Sequence, residues 1–363
     1  LGEIRAARVQ AALAFMEWDD VVRWGSELVD DSSCAISTRV RAAIETATAH
    51  AYRGDIAGSY HFLDLARRIN TDPVSGEPVD EVAHVTTLAG EALLRFNLGD
   101  GVSDLLDDVE YFLARPTLRR GGPALAFLGY AGAVADVFRG DLRAADLEYR
   151  AAVSRFTTAE STGWRSGMHG EHALVLALLG DTAGAEAALR QAEDLSAERT
   201  PMTRHLYARA RFVTAAQAGD DPEKVRGYER ALLDLSATSP ALHVVDLYLV
   251  LAAGGGEASD RDLLRETAAD MEHPLGLVFE RHLSARDADD ARRLEEVASD
   301  FAATGAFLLA RRAQEDAVAA HHRAGNALRL SNARKQLIAY GELSRRSGSS
   351  AGEASAGLLS DRE

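Results

Sequence analysis

Leu179-Gly180-Asp181 separates two stretches of different pattern. The stretch before it, Glu171 to Leu179, is rich in alanine and nearly apolar all round. After it, apolar residues recur at steps of three and four from Ala185 to Leu195, which places them on one stripe of a helix. Glycine tolerates the left-handed conformation that closes a helix, and the next aspartate can cap the following helix. The pattern predicts a helical hairpin with a Gly-Asp hinge.

The same motif recurs along the chain. Its aspartates are separated by 35, 45, 41, 40 and 39 residues, a spacing that fits one helical hairpin with its linker. The copies are Trp18-Asp19-Asp20, Arg53-Gly54-Asp55, Leu98-Gly99-Asp100, Arg139-Gly140-Asp141, Leu179-Gly180-Asp181 and Ala218-Gly219-Asp220. No segment has the pattern of a strand. We predict an all-α fold, an α-solenoid of TPR-like hairpins of roughly 40 residues wound into a right-handed superhelix.

The helical pattern continues beyond the last copy of the motif. It predicts two long helices, Asp289 to Ala303 and Ala306 to Ala324, broken at Thr304-Gly305 and closed at Gly325. We expect eight to nine hairpins over residues 1–345, followed at 346–363 by a flexible linker of Ser, Gly and Ala. Since the first residue is leucine and its neighbours are already in mid-pattern, we expect a fragment of a longer protein.

Composition and charge exclude several classes of function. Forty Lys plus Arg against 56 Asp plus Glu give a net charge of −16, a field that repels a phosphate backbone. No apolar run approaches the roughly 18 residues of a membrane span, so we expect no membrane partner. The single Cys34 cannot form an internal disulfide, and the chain does not open on a signal peptide, so we expect a cytoplasmic protein.

The last five residues add a family resemblance. Leu359-Ser360-Asp361-Arg362-Glu363 resembles the Leu-(Thr/Ser)-x-Arg-Glu that opens the helix-turn-helix domain of LuxR-type regulators. The segments Phe301 to Ala306 and His321 to Gly325, with the linker, look like the usual run-in to that domain. Large ATP-binding members, related to the maltotriose-responsive activators, carry a nucleotide-switch domain, a TPR-like superhelix and a DNA-binding domain. The resemblance covers most of this chain as superhelix only.

The resemblance implies that ATP and DNA bind other parts of such a parent protein. A Walker A loop needs Gly-Lys-(Ser/Thr), whereas Lys224 follows Glu223 and Lys335 follows Arg334, so we expect no cofactor in these residues. DNA would be reached only through the missing C-terminal domain. The chain departs from ordinary TPR repeats, because its period is near 40 rather than 34 and the spaced Trp, Tyr and Pro signature is missing.

Three other motifs receive non-catalytic interpretations. Gly348 to Gly352 matches Gly-x-Ser-x-Gly, but it lies in the predicted linker and not on a strand-to-helix turn. His169 and His172 could share a metal on a helix, although no thiolate lies near them, and His321 and His322 point to different faces. The pairs Asp107-Asp108 and Asp289-Asp290 are interpreted as solvated helical positions. We therefore predict no catalytic residues and no metal site.

The strongest candidate site is a basic and aromatic cluster on one predicted helix. Arg204 and Arg211 share a face there, and His205 and Arg209 form an i,i+4 set beside Tyr207. Trp164 and Arg165, at the start of the preceding hairpin, could lie alongside on the concave surface of a solenoid. These seven residues form the predicted groove for an anionic effector or a partner. The alternative is that the arginines only balance neighbouring carboxylates.

Two functions from different classes follow, with an enzyme of unknown type a distant third. The first is the sensor and interaction superhelix of a LuxR-type transcriptional regulator, binding a small-molecule effector or a protein partner. The second is a stand-alone TPR-like scaffold that docks a protein segment in its groove. We expect no catalysis in either case, since no convergent catalytic set occurs. The oligomeric state, the effector and the target promoters are left open by the sequence.

Overall fold

The computed structural model describes residues 2–100, 105, 108–109, 111–112, 122–159, 164–195 and 200–346. Within these ranges the chain forms seventeen helices, and an isolated bridge between Thr71 and Pro78 is the sole β-type pairing. The helices are α1 Gly2–Ala14, α2 Trp18–Asp30, α3 Ile36–Tyr52, α4 Ile56–Ile69, α5 Glu81–Asn97, α6 Gly122–Arg139, α7 Leu142–Ala159, α8 Trp164–Leu178, α9 Thr182–Asp194, α10 Pro201–Ala218, α11 Pro222–Ser236, α12 Pro240–Ala252, α13 Ala258–Asp270, α14 Gly276–Asp287, α15 Ala291–Ala303, α16 Phe307–Arg323 and α17 Ala327–Arg346.

Consecutive helices pack as hairpins. The pairs α1/α2, α3/α4, α6/α7, α8/α9, α10/α11, α12/α13, α14/α15 and α16/α17 are each in contact, and α5 stands between two of them. First helices also contact the first helix of the next hairpin, as α8 does with α10 and α12 with α14. This stacking buries the alanine-rich faces, which allow close approach. The prediction of an all-α fold of TPR-like helical hairpins is confirmed for the described ranges.

The Gly-Asp hinges behave as the motif predicts. Gly54, Gly140 and Gly180 take φ values of 83°, 84° and 82°, which glycine adopts without the penalty that a Cβ brings. Each following aspartate caps the next helix: the backbone N–H of Gly184, for example, donates to Oδ1 of Asp181 at 2.9 Å. Asp55 and Asp141 accept from the corresponding N–H groups at 2.8 Å and 3.1 Å.

Two copies of the motif were assigned to the wrong residues. Trp18-Asp19-Asp20 lies in the first turn of α2, and the left-handed hinge residue there is Met16, with φ 60°. At the other end of the series, Gly219 does take a positive φ of 69°, but the cap of α11 is Asp221 and not Asp220. Proline at position 222 moves the start of that helix by one residue, because its fixed φ suits the first helical position.

The pair Asp289-Asp290 is also a hinge, contrary to the prediction of a solvated helical position. Asp289 takes a left-handed φ of 50°, and Asp290 accepts from the backbone N–H of Arg293 at 3.2 Å. Helix α15 therefore begins at Ala291, two residues later than predicted. Aspartate is among the few residues that tolerate this conformation, so it replaces glycine in the same motif.

The repeat shortens toward the C-terminus. The Tyr248 hydroxyl and Nδ1 of His282 are 2.8 Å apart, and Nε2 of His282 lies 3.0 Å from Asp316. These three residues come from the first helices of three successive hairpins and are 34 residues apart in each step. The repeat length in this part is therefore the 34 residues of ordinary TPR repeats. The mean spacing near 40 applies to the six Gly-Asp hinges closer to the N-terminus.

The superhelix closes on itself. A methyl group placed on Gly99 would come within 2.4 Å of the His273 ring, and one on Gly54 within 3.2 Å of Met271. Nε2 of His273 lies 3.4 Å from the carbonyl oxygen of Asn97, 176 residues earlier in the chain. Helices α3 and α5 both contact α12, and one apolar core runs from Ala6 to Tyr340. Residues from the first and second halves of the solenoid thus pack against each other in one shared core.

Candidate binding cleft

A cleft opens where the two halves of the solenoid meet. Its apolar residues come mostly from α5, α6 and α10, and its polar ones include Tyr52 and Asn97 from the first half with His205 and Arg209 from the second. The free volume is about 30 Å³, room for roughly one water molecule. The full lining is Met16, Tyr52, Leu93, Phe96, Asn97, Tyr130, Val134, Met202, His205, Leu206, Arg209 and Leu242. A larger ligand therefore requires the surrounding hairpins to move apart.

One buried ion pair forms part of the cleft wall. A terminal nitrogen of Arg209 donates to Glu171 at 2.6 Å, and both side chains are almost completely buried. Burial disfavours a charged guanidinium, but the carboxylates of Glu171 and Asp246 outweigh this and raise the pKa of Arg209 above its ordinary value. The hydroxyl of Tyr149 donates to the second oxygen of Glu171 at 3.3 Å. Helix α8 is thereby joined to α10.

A second buried pair lies one helical turn away. Nε2 of His205 is 2.5 Å from Oδ2 of Asp246, and the aspartate is fully buried. This contact joins α10 to α12, so α8, α10 and α12 are connected in series through charged side chains. Among the described residues, Oδ1 of Asp246 and Nε of Arg209 have no hydrogen-bond partner. These two buried polar atoms lie beside the cleft, and leaving such an atom without a hydrogen bond costs free energy.

The first half of the chain contributes neutral donors. The side-chain amide of Asn97 donates to the Tyr52 hydroxyl at 3.2 Å. Burial raises the pKa of Tyr52 to about 12 and that of Tyr130 well above its ordinary value, so both rings stay protonated near neutral pH. These groups can donate or accept hydrogen bonds without bringing a charge.

The seven residues of the predicted groove do not form one site. His205 and Arg209 share a face, as predicted, and both line the cleft. Tyr207 instead donates to Glu193, and Arg211 pairs with Glu186 at 2.8 Å and lies over the ring of Tyr228.

The remaining three lie elsewhere. Arg204 is exposed and Arg165 half-buried, while the half-buried Trp164 packs edge-to-face on Phe127 with ring centroids 5.1 Å apart. The basic cluster thus divides between the cleft and the side of α10 that faces α9 and α11. Binding at these positions stays a prediction.

One histidine of each pair lies beside a carboxylate. Nε2 of His172 lies 2.7 Å from Asp146, and Nε2 of His321 lies 3.1 Å from Glu295. In the part of the chain that the structure describes, no group of three or more His, Cys, Asp or Glu side chains could hold a metal ion. The Gly348 to Gly352 motif, the residue Asp107 and the C-terminal Leu359 to Glu363 lie outside the described residues.

The sequence did not predict the residues that the first half of the chain contributes to the cleft. Tyr52 and Asn97 each stand two residues before a hinge glycine, at the end of a first helix. This position relative to the hinge is a signal that the sequence does contain. What it lacks is the closure of the superhelix, which brings these helix ends against α10 and α12 from more than 100 residues away.

Comparisons with known proteins place the chain by its fold. No protein-family model matches the sequence, and no curated protein matches it. Among solved structures it is similar to a Rap protein, determined in complex with competence and sporulation factor. The TM-score is 0.69 at 11% sequence identity, over 95% of this chain and 99% of the other. The chain therefore has a TPR-like helical-repeat fold. None of its described helices is long and apolar enough to span a membrane.

Proposed function

We propose that this protein is a non-catalytic binding module that takes up a short peptide or an extended protein segment in the central cleft. The observation that carries the proposal is the cleft itself, an apolar pocket with a few convergent polar groups. The similar fold of the Rap protein in complex with competence and sporulation factor supports a role in binding.

The charges around the cleft favour an apolar or uncharged segment over an acidic one. Arg209 is already neutralised by Glu171, and the imidazole of His205 is paired with Asp246. Two carboxylates thus face one guanidinium and one imidazole, which leaves no excess positive charge for an anion. The hydroxyls of Tyr52 and Tyr130 and the amide of Asn97 remain to fix the orientation of a peptide backbone.

Binding would act by shifting a population of conformations. Since the cleft as it stands admits about one water molecule, a peptide must select an arrangement in which the two halves lie further apart. Its effect on the equilibrium is limited to the difference between its affinities for the two arrangements. Occupancy of the cleft would then change the relative positions of hairpins far from the ligand.

A linear peptide library displayed on phage tests the proposal. Peptides selected on the wild-type protein are compared, by fluorescence anisotropy, on two tryptophan variants. Leu93→Trp adds a ring inside the cleft, whereas Leu147→Trp adds the same ring on the outer surface of α7, where Leu147 is 65% exposed. We expect Leu93→Trp to weaken binding at least about tenfold and Leu147→Trp to leave it unchanged.

The selected sequences carry further information. Apolar, neutral peptides are expected, and enrichment of acidic peptides would contradict the charge argument. Equal binding to both tryptophan variants, or selection of no specific peptide, would overturn the assignment of the cleft. Thermal unfolding of Leu93→Trp serves as the folding control.

The finer proposal is that this module is the sensor superhelix of a LuxR-type regulator. It rests on the resemblance of Leu359-Ser360-Asp361-Arg362-Glu363 to the start of that family's DNA-binding domain. We expect the isolated chain to show neither ATPase activity nor salt-dependent affinity for DNA, and either activity would contradict this assignment. A coding frame that continues into a helix-turn-helix domain would favour the regulator, and a stop codon after Glu363 would favour a stand-alone scaffold.

A further inference from the structure

The last described helix differs in charge from the rest of the chain. Helix α17 carries five basic residues and one acidic residue, a net charge of +4 in a protein of net charge −16. It packs on α16 through Ala333 and Tyr340. Helical spacing places Leu328, 74% exposed, and Ile338, 63% exposed, on the side that faces away from α16. Leu343, which is 41% exposed, lies nearer the packed side. An exposed face that is both basic and apolar indicates a surface for a partner.

Three basic side chains of α17 have no ion-pair partner in the part of the chain that the structure describes. Most arginines in the described ranges lie within 4.0 Å of a carboxylate, as Arg323 does with Asp289. Arg329, Arg334 and Lys335 are exposed and have no such carboxylate among the described residues. Their charges are therefore available to a second molecule.

The first hairpin has the opposite character. Residues 1–31 contain seven acidic and three basic side chains, a net charge of −4. Glu17, Glu27 and Asp30 are exposed and, within the described residues, have no basic group within ion-pair distance. Helix α1 and its end expose Ile4 at 72% and Phe15 at 61%, eleven residues apart and hence on one face. Exposed Arg8 lies on the same side of α1 and stacks on the ring of Trp24. The charge that complements α17 therefore comes from the carboxylates of the α2 segment, while α1 supplies the exposed apolar residues.

We propose that the outer face of α17 docks onto the α1/α2 face of a second copy of this chain. Two α17 helices repel each other at +4 each, so the contact pairs different surfaces and is heterologous. Such contacts either close into rings or extend as open chains. The exposed apolar residues on both faces are buried in the contact, and the unpaired charges fix the orientation of the two copies. A phosphate backbone would satisfy the charges but offers nothing to Leu328 and Ile338.

Sedimentation velocity with reciprocal charge variants tests this contact. The first variant, Arg334→Glu/Lys335→Glu, brings the net charge of α17 from +4 to 0. The second, Glu27→Arg/Asp30→Arg, brings the net charge of residues 1–31 from −4 to 0. In each variant alone one of the two faces has lost its net charge, whereas an equimolar mixture contains the unchanged α17 face of the second variant and the unchanged α1/α2 face of the first. All four positions are exposed, and circular dichroism with thermal unfolding checks that each variant folds.

The expected pattern has three parts. The wild-type protein associates with increasing concentration, less so when salt rises from about 50 mM to about 500 mM, because exposed charges are screened. Each variant alone stays monomeric at the same concentrations, and the mixture associates. A wild-type protein that is monomeric throughout would overturn the proposal. So would variants that associate as the wild type does, or a mixture that stays monomeric.

Discussion

At the scale of single residues, the wall of the cleft depends on charged groups that are buried and paired. Glu171 and Arg209 are each less than a tenth exposed, so neither charge can recover its hydration if the other is removed. The sequence indicated that His205 and Arg209 share a helical face. It gave no sign of their partners, because Glu171 and Asp246 come from helices 38 and 41 residues away.

Replacing Glu171 by glutamine leaves the guanidinium of Arg209 buried without its carboxylate. We expect Glu171→Gln to lower the free energy of unfolding by about 3 kcal/mol or more. Glu186→Gln is the matched control, since its pair with Arg211 is partly exposed, and it should cost less than about 1 kcal/mol. Urea unfolding at neutral pH measures both, and equal losses would contradict the role given to burial.

Glu45 on α3 makes stability depend on pH. Burial raises its pKa to about 8, although the positive charge of Arg41 acts in the other direction. The folded protein then holds a proton that the unfolded chain releases near pH 4.5. The stabilisation of the folded state by this proton is therefore complete below pH 4.5 and is lost as the pH rises toward 8. We expect Glu45→Gln to be the more stable protein at pH 8, by a few kcal/mol, and the difference to shrink toward pH 4.5. Urea unfolding across that range measures it.

At the scale of elements, the hinge motif determined most of what the sequence could predict. Gly-Asp marks a helix end and the next cap by local chemistry alone, which is why an all-helical fold of hairpins could be predicted from the sequence. Two of the errors occurred where another residue performs the glycine's role, and the third where Pro222 moves the cap to Asp221. Met16 and Asp289 take left-handed conformations without being glycine. Aspartate tolerates this conformation better than most residues, whereas methionine has no such local preference.

Hinge glycines differ in what surrounds them. Gly180 and Gly99 both have positive φ, but nothing lies within 4 Å of a methyl group added to Gly180, whereas one added to Gly99 meets His273. We expect Gly180→Ala to cost about 1 kcal/mol through backbone strain alone. Gly99→Ala should cost at least about 1 kcal/mol more, because the His273 ring must move. Thermal unfolding of the two variants decides this, and equal losses would show that the two halves do not touch there.

At the scale of the whole molecule, closure of the superhelix produces the cleft. Contacts such as Asn97 to His273 join residues 176 positions apart, and no periodicity in the sequence encodes them. A hairpin pattern predicts neighbours along the solenoid but not its pitch, so the residues that meet across one turn could not be predicted. This is why Tyr52, Asn97 and Tyr130 were absent from the predicted groove.

Closure is also expected to respond to acid. Burial lowers the pKa of His273 to about 4, and its ring fits against the Gly99 hinge. The unfolded chain takes up a proton on this histidine near pH 6.5, whereas in the folded protein the ring stays neutral down to about pH 4. The contribution of His273 to the free energy of unfolding is therefore complete above pH 6.5 and is lost as the pH falls toward 4. A His273→Gln variant should lose less stability than the wild type over this window. Parallel curves from chemical unfolding would contradict the prediction.

The central claim is that a peptide binds between the two halves of the solenoid. Photo-crosslinking tests it most directly: a selected peptide carrying a benzophenone side chain is irradiated on the wild-type protein, and the modified segments are identified by mass spectrometry. We predict adducts on the ends of α3 and α5, near Tyr52 and Asn97, and on α10 near Leu206. Adducts confined to the outer helices α7, α9 and α11 would contradict the claim.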